Sequence, residues 1–184
     1  MNEFIPIKTD TIYIVTHAEA AAGADTLTDA GKAAAEALVA RLDGLGVDGA
    51  FAAPSAAAQA TIEPYALAKG LTIATLPDLR DHRLSLQGNR PDDPYLETRF
   101  KERSKTRPGG EPFDGAAHRL RNAIRNIARR PVVAPAMVTH PGLLAALLSQ
   151  RDKAFGYADY LAMPTPGIWR VMHDIGTPRS FELI

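Results

Sequence analysis

The chain of 184 residues contains no cysteine, so it has no disulfide framework, no thiol nucleophile and no thiolate metal site. It also lacks an excess of either charge, because 21 Lys and Arg stand against 21 Asp and Glu. A protein that works on nucleic acid or on an anionic membrane surface carries a positive excess, so neither partner is expected. No apolar run approaches the roughly 18 residues needed to span a bilayer. The start, MNEFIPIKTD, has none of the features of a secretory signal, which makes a cytoplasmic location the expectation. Neither a glycine-rich nucleotide loop nor a His-x-x-x-His ligand spacing occurs, so no cofactor and no metal is expected.

What is present is a globular composition, 46% hydrophobic and 23% charged, on a length that suits one domain over 1–184. TIYIV, ending at Val15, is short and β-branched and reads as a buried strand. TLTDAGKAAAEALVARLDGLG follows as a helix with Thr28 as cap and glycines as stops. GAFAA reads as a strand, and PSAAAQATIEPYALAKG as a helix opened by Pro54 and closed by Gly70. LTIATL completes a β-α-β-α-β order, which implies a parallel sheet covered by helices. From about 77 to 112 the pattern gives way to charge, proline and glycine, an excursion or lid with a short helix near YLETRFKERS. Glu111 to Arg130 reads as an amphipathic helix, VVAPAMVTH as an interrupted strand, and PGLLAALLSQ as a helix. GIWRVMHDIG and RSFELI read as a terminal hairpin at the sheet edge.

Two histidines share one context: His17 ends IYIVTH and His140 ends PAMVTH. In a parallel sheet both emerge at the C-terminal edge, where α/β proteins bind ligands, and converge on one site. Around them VTHAEA, LTDAGKAAAEAL, APSAAAQAT, LRDHRLSLQG, GGEP and VTHPG follow in order. With these motifs the chain resembles the histidine phosphatase superfamily, the phosphoglycerate mutase-like fold. The resemblance implies an α/β three-layer sandwich with a mostly parallel central sheet between helices. It also implies roles: His17 as phosphoryl acceptor, His140 as the second histidine, Asp81 at the position of the proton-donating glutamate, and Glu19 and Glu111 on two further family glutamates.

The departures lie in the anion grip. The family's two phosphate-binding arginine positions fall on Thr16 and Ala57. Arginine presents a planar fork of donors that matches phosphoryl oxygens, and neither threonine nor alanine replaces it. Loss of one preorganised donor typically costs about 100- to 1000-fold in rate. The excursion's Arg80, Arg83, Arg99, Lys101, Arg103, Lys105 and Arg107 offer replacements, although such a charge run reads first as a solvated face.

These features lead to three functional expectations. The first is a repurposed enzyme, a cyclase, isomerase or dehydratase, doing general acid/base chemistry on a small, neutral or weakly anionic, non-phosphorylated molecule. In this reading His17, His140, Asp81 and Glu19 carry the chemistry, while Thr16, Ala57, His82, Arg83 and Glu111 line a pocket enlarged by the small residues at 16, 18, 53, 56 and 57. The second is a phosphatase or phosphomutase working through a phosphohistidine at His17. The third is a pseudoenzyme that binds a ligand or partner without turnover. A homodimer is left open.

Overall fold

A computed structural model describes residues 9–21, 24–90 and 92–184. A six-stranded sheet forms its centre, in the order β3-β2-β4-β1-β5-β6. Strands β1 (Thr11–Thr16), β2 (Gly49–Ala52), β3 (Ile73–Thr75) and β4 (Pro135–Thr139) run parallel, and β5 (Ile168–Asp174) and β6 (Thr177–Leu183) add an antiparallel hairpin. Helices flank it: α1 (Asp29–Gly44), α2 (Ala56–Lys69), α3 (Tyr95–Lys101), α4 (Phe113–Ala128), α5 (Pro141–Arg151) and α6 (Tyr157–Leu161). α1 packs on α2, and α4 on α5. The mixed α/β sandwich read from the sequence is the observed architecture.

The central strands β1 and β4 are covered on both faces, which is why they are uninterrupted apolar runs. Ile12, Ile14, Val15, Ala136, Met137 and Val138 are all fully buried. In the parallel register Thr16 lies opposite Thr139. Residues 17 and 140 therefore leave the sheet side by side, and the His17 amide donates to Thr139 O at 2.9 Å.

Helix ends follow local chemistry. Thr28 caps α1 by accepting from the Gly31 amide at 3.0 Å, and Ser55 caps α2 by accepting from the Ala58 amide at 3.3 Å. Gly70 ends α2 with φ 64, a left-handed backbone that suits glycine. Gly31 is needed for close approach, because a Cβ there would stand 2.1 Å from the carbonyl oxygen of Glu19. The β5–β6 turn uses Ile175 and Gly176, both with positive φ, as a two-residue hairpin requires.

Three boundaries differ from expectation. The strand read over 132–140 begins only at Pro135, because the Asp48 carboxylate takes the amides of Val133 and Ala134, both at 2.8 Å. α6 carries no periodic apolar face long enough to signal a helix. Among the described residues of 77–112 only a single 3-10 turn at Pro77–Leu79 and α3 are regular, while the other described residues form loop that returns to α4.

Candidate functional site

The C-terminal edge of β1 and β4 brings His17 and His140 together, with ring centroids 4.9 Å apart and planes at 70°. His17 Nδ1 lies 2.8 Å from the carbonyl oxygen of Ala18. A carbonyl only accepts, so Nδ1 carries a proton, and in the neutral ring Nε2 keeps a free lone pair. His140 Nε2 lies 3.3 Å from Ser55 Oγ. Burial pushes the His140 pKa below the usual 6.5; Asp81 pulls it up, the neighbouring His17 pushes it further down, and Asp25 opposes that.

Asp81 completes this group from the loop after the 3-10 turn. Its Oδ1 accepts from the His82 amide at 2.7 Å and its Oδ2 from Asn89 Nδ2 at 2.9 Å. Asn89 also donates to His82 O and accepts from the Leu84 amide, so one side chain sets both the loop and the carboxylate. A Cβ on Gly142, the second residue of α5, would stand 2.6 Å from Asp81 Oδ1. The carboxylate thus sits against the N-terminal turn of α5, whose positive end and uncapped amides favour an anion.

Behind Asp81 lie groups that fasten rather than face solvent. Arg119 reaches the carbonyls of Asp78, Arg80 and Asp81 and makes a two-point pair with the Glu111 carboxylate at 2.9 and 2.6 Å. His82 is fully buried; its Nε2 lies 2.7 Å from Glu111 O, and its Nδ1 accepts from Arg99 Nη1 at 3.0 Å. Burial lowers the His82 pKa, and the charge of Arg99 adds to that effect. Arg99 is itself 1% exposed, lies 4.8 Å from the ring centroids of Phe113 and Tyr160, and its Nε and Nη2 make no hydrogen bond.

The remaining residues read as pocket-lining stand elsewhere. Thr16 is fully buried, with its hydroxyl donating to Pro164 O at 2.7 Å and accepting from the Gly167 amide at 2.8 Å, so it anchors the segment before β5. Glu111 faces Arg119, both ring nitrogens of His82 are engaged, and Arg83 spends its guanidinium on the carbonyls of Ser85 and Leu86. Glu19, read from the sequence as catalytic, is exposed, and its carboxylate accepts from Thr28 Oγ1 at 2.8 Å. Ala57 does not open the enlarged pocket expected from small side chains. It packs with Ala18, Leu27 and Ala35, because small residues allow the segment carrying Leu27 to settle onto α2.

Sequence reasoning missed Ser55, Asn89, Arg119 and Asp25. Asp25 takes the amides of Ala56 and Ala57, at 2.6 and 3.2 Å, and so places a carboxylate on the first turn of α2. Polar residues in loops give no periodic signal, so their convergence is visible only in three dimensions. A cavity of about 550 Å³ adjoins this turn between α1 and α2, lined by Asp25, Leu27, Ala35, Ala56, Ala60 and Glu63. Another of about 510 Å³ lies at the far end of α5 beneath the β5–β6 hairpin, away from both histidines. Among the described residues no cluster of three metal-ligating side chains is found. No helix there is long and apolar enough to cross a membrane.

The family model of the histidine phosphatase superfamily, branch 1, matches residues 12–163. The chain belongs to this superfamily. Its fold is shared with mycobacterial glucosyl-3-phosphoglycerate phosphatase complexed with VO3, at 21% identity and a TM-score of 0.74, over 95% of this chain and 98% of that one. It is shared equally with the Bacillus stearothermophilus protein YhfR, at 21% identity and a TM-score of 0.73, over 93% and 94% of the two chains. Phosphoserine phosphatase from Entamoeba histolytica, in complex with 3-phosphoglyceric acid, aligns at 13% identity and a TM-score of 0.72, over 94% and 96%. Among curated proteins none matches.

Membership of the superfamily corrects the first functional expectation. Acid/base chemistry on a neutral or weakly anionic, non-phosphorylated molecule, as a cyclase or isomerase, is overturned by the family match and by neighbours that are phosphatases. That expectation rested on the two missing arginines alone, and family membership outweighs them. The motifs do not mark backbone donors, and the uncapped first turn of α5 begins directly after His140.

Proposed function

We propose that the protein is a phosphatase or phosphomutase acting on a small phosphate ester through a phosphohistidine at His17. The observation that carries this reading is the pinned His17 ring: its Nδ1 proton is held by Ala18 O, which leaves Nε2 as a nucleophile beside His140. In the first step Nε2 attacks phosphorus in line with the ester oxygen, the P–N bond forms and the P–O bond breaks. The leaving alkoxide takes a proton from the acid form of Asp81, a form that the negative charge of a bound phosphate ester beside the carboxyl favours. In the second step water attacks the phosphohistidine, Asp81 takes the water's proton, and phosphate leaves with His17 restored. In a mutase an acceptor hydroxyl replaces that water. An N–H of His140 and the free amides of α5 stabilise the charge spread over the phosphoryl oxygens.

The test is hydrolysis of a generic aryl phosphate with rapid acid or base quenching. The wild type is expected to form an acid-labile, base-stable phosphoenzyme, and His17→Ala to lose it together with at least about 1000-fold in kcat, as removal of a nucleophile does. Undiminished turnover by a folded His17→Ala protein would sink the proposal.

A further inference from the structure

Arg99 is a buried cation without a counter-ion in contact. Its one side-chain hydrogen bond goes to a neutral acceptor, His82 Nδ1, and its Nε and Nη2 make none. Rings surround it, Phe113 and Tyr160 at 4.8 Å and Phe100 at 5.4 Å, while the Asp81 carboxylate and the Tyr160 hydroxyl stand near enough to favour its charge without an ion pair being formed. Ring faces return only part of what removal of a guanidinium from water costs. An arginine in this state suits an anion that arrives from outside, and its place in the fold says which one. The point where a Cβ on Gly142 would stand is 3.7 Å from Arg99 Nη1 and 2.6 Å from Asp81 Oδ1. The guanidinium therefore borders the first turn of α5, just past His140, on the side of the site held by Asp81.

We propose that Arg99, delivered by α3 from the excursion, supplies the positive charge that holds the substrate's phosphate, the task left open by Thr16 and Ala57. This rests on the phosphatase reading. The guanidinium borders the site through Nη1, and its unpaired Nε and Nη2, still enclosed by the rings, are two parallel N–H donors of the kind that fits two oxygens of one phosphoryl group. Tyr160, which covers the guanidinium, belongs to the five-residue α6, none of whose residues is fully buried. A short element with so little buried surface opens at low cost, which gives the phosphate a way in.

The probe is inorganic phosphate, titrated calorimetrically into wild-type protein, Arg99→Met and Arg99→Lys, with each protein's melting curve establishing that it is folded. Met keeps the volume without the charge, and its Kd is expected to rise about 10- to 100-fold, the size of a lost charged hydrogen-bond pair. Lys keeps the charge without the fork, and a rise of about five-fold or more is expected. Wild-type affinity in the folded Met variant, or in the Lys variant should only that one fold, overturns the proposal and assigns Arg99 to its aromatic cage alone. If His17→Ala abolishes turnover while the Arg99 variants bind phosphate normally, only this inference fails. If the wild type neither binds phosphate nor depends on His17, the phosphatase reading fails with it.

Discussion

Asn89 shows how much a single side chain determines at this site. It holds Asp81 Oδ2 at 2.9 Å and, through His82 O and the Leu84 amide, the loop that presents the carboxylate. Asp81 is needed as an acid only when the departing oxygen is a poor leaving group. Asn89→Ala is therefore expected to lower kcat/KM, which reports the steps through formation of the phosphoenzyme, by about 10- to 100-fold on an alkyl phosphate, the range associated with mispositioned general acid catalysis. On an aryl phosphate bearing a nitro group it should change kcat/KM by less than about three-fold, because the phenolate leaves unaided. Steady-state rates on the two substrates check this, and equal losses on both would show that Asn89 serves only to hold the loop. Asn89 was illegible in the sequence for the same reason as Asp25: a polar residue among loop residues has no period. His17 and His140 were legible because their signal is local, an apolar strand followed by a histidine, twice.

Elements explain the other half of that contrast. The strand and helix order from β1 to β3 could be read because each element carries its own periodicity and cap, as at Thr28, Ser55 and Gly70. Arg99 could be named only as one of several candidate cations and not singled out, because α3 lies in a charged, proline-rich run that reads first as a solvated face. Only its packing against Phe113 of α4 and Tyr160 of α6 turns that arginine inward. The junction of β1 with α1 offers a direct check on element-level reasoning. Alanine is the better helix former by about 1 kcal/mol, so helix propensity alone says that Gly31→Ala stabilises. Its Cβ would stand 2.1 Å from the Glu19 carbonyl oxygen, which is backbone and has no rotamer by which to yield. Overpacking of this kind costs about 1–3 kcal/mol, and the net expectation is a melting temperature lower by up to about 8 °C. A Gly31→Ala protein that melts above the wild type would show that the connection moves freely.

Across the whole molecule the charges balance, 21 against 21, yet the titratable groups are unevenly placed. His82, His140 and His173 are each withdrawn from water, and burial holds the pKa of each below the ordinary 6.5. Asp81 opposes that shift at His82 and His140, and Asp10 and Asp174 oppose it at His173, without reversing it. In the unfolded chain all three return to about 6.5. As pH falls through that value the unfolded state takes up protons that the folded state refuses, so stability falls with pH and levels off only below the folded-state values. Each histidine contributes a slope of up to about 1.4 kcal/mol per pH unit in that window. The melting temperature should therefore drop between pH 7.5 and 5.5, above the range where most carboxylates titrate. His173 is the residue with which to test the cause, since it lies at the β5–β6 hairpin away from the paired histidines, with Nδ1 accepting from the Gly176 amide and Nε2 making no hydrogen bond. His173→Gln is expected to flatten the pH dependence of the melting temperature while leaving aryl phosphate turnover at pH 7.5 unchanged. A wild-type melting temperature that does not move between pH 7.5 and 5.5 would mean that these histidines accept protons in place, and the acid sensitivity would then have to be assigned to the carboxylates.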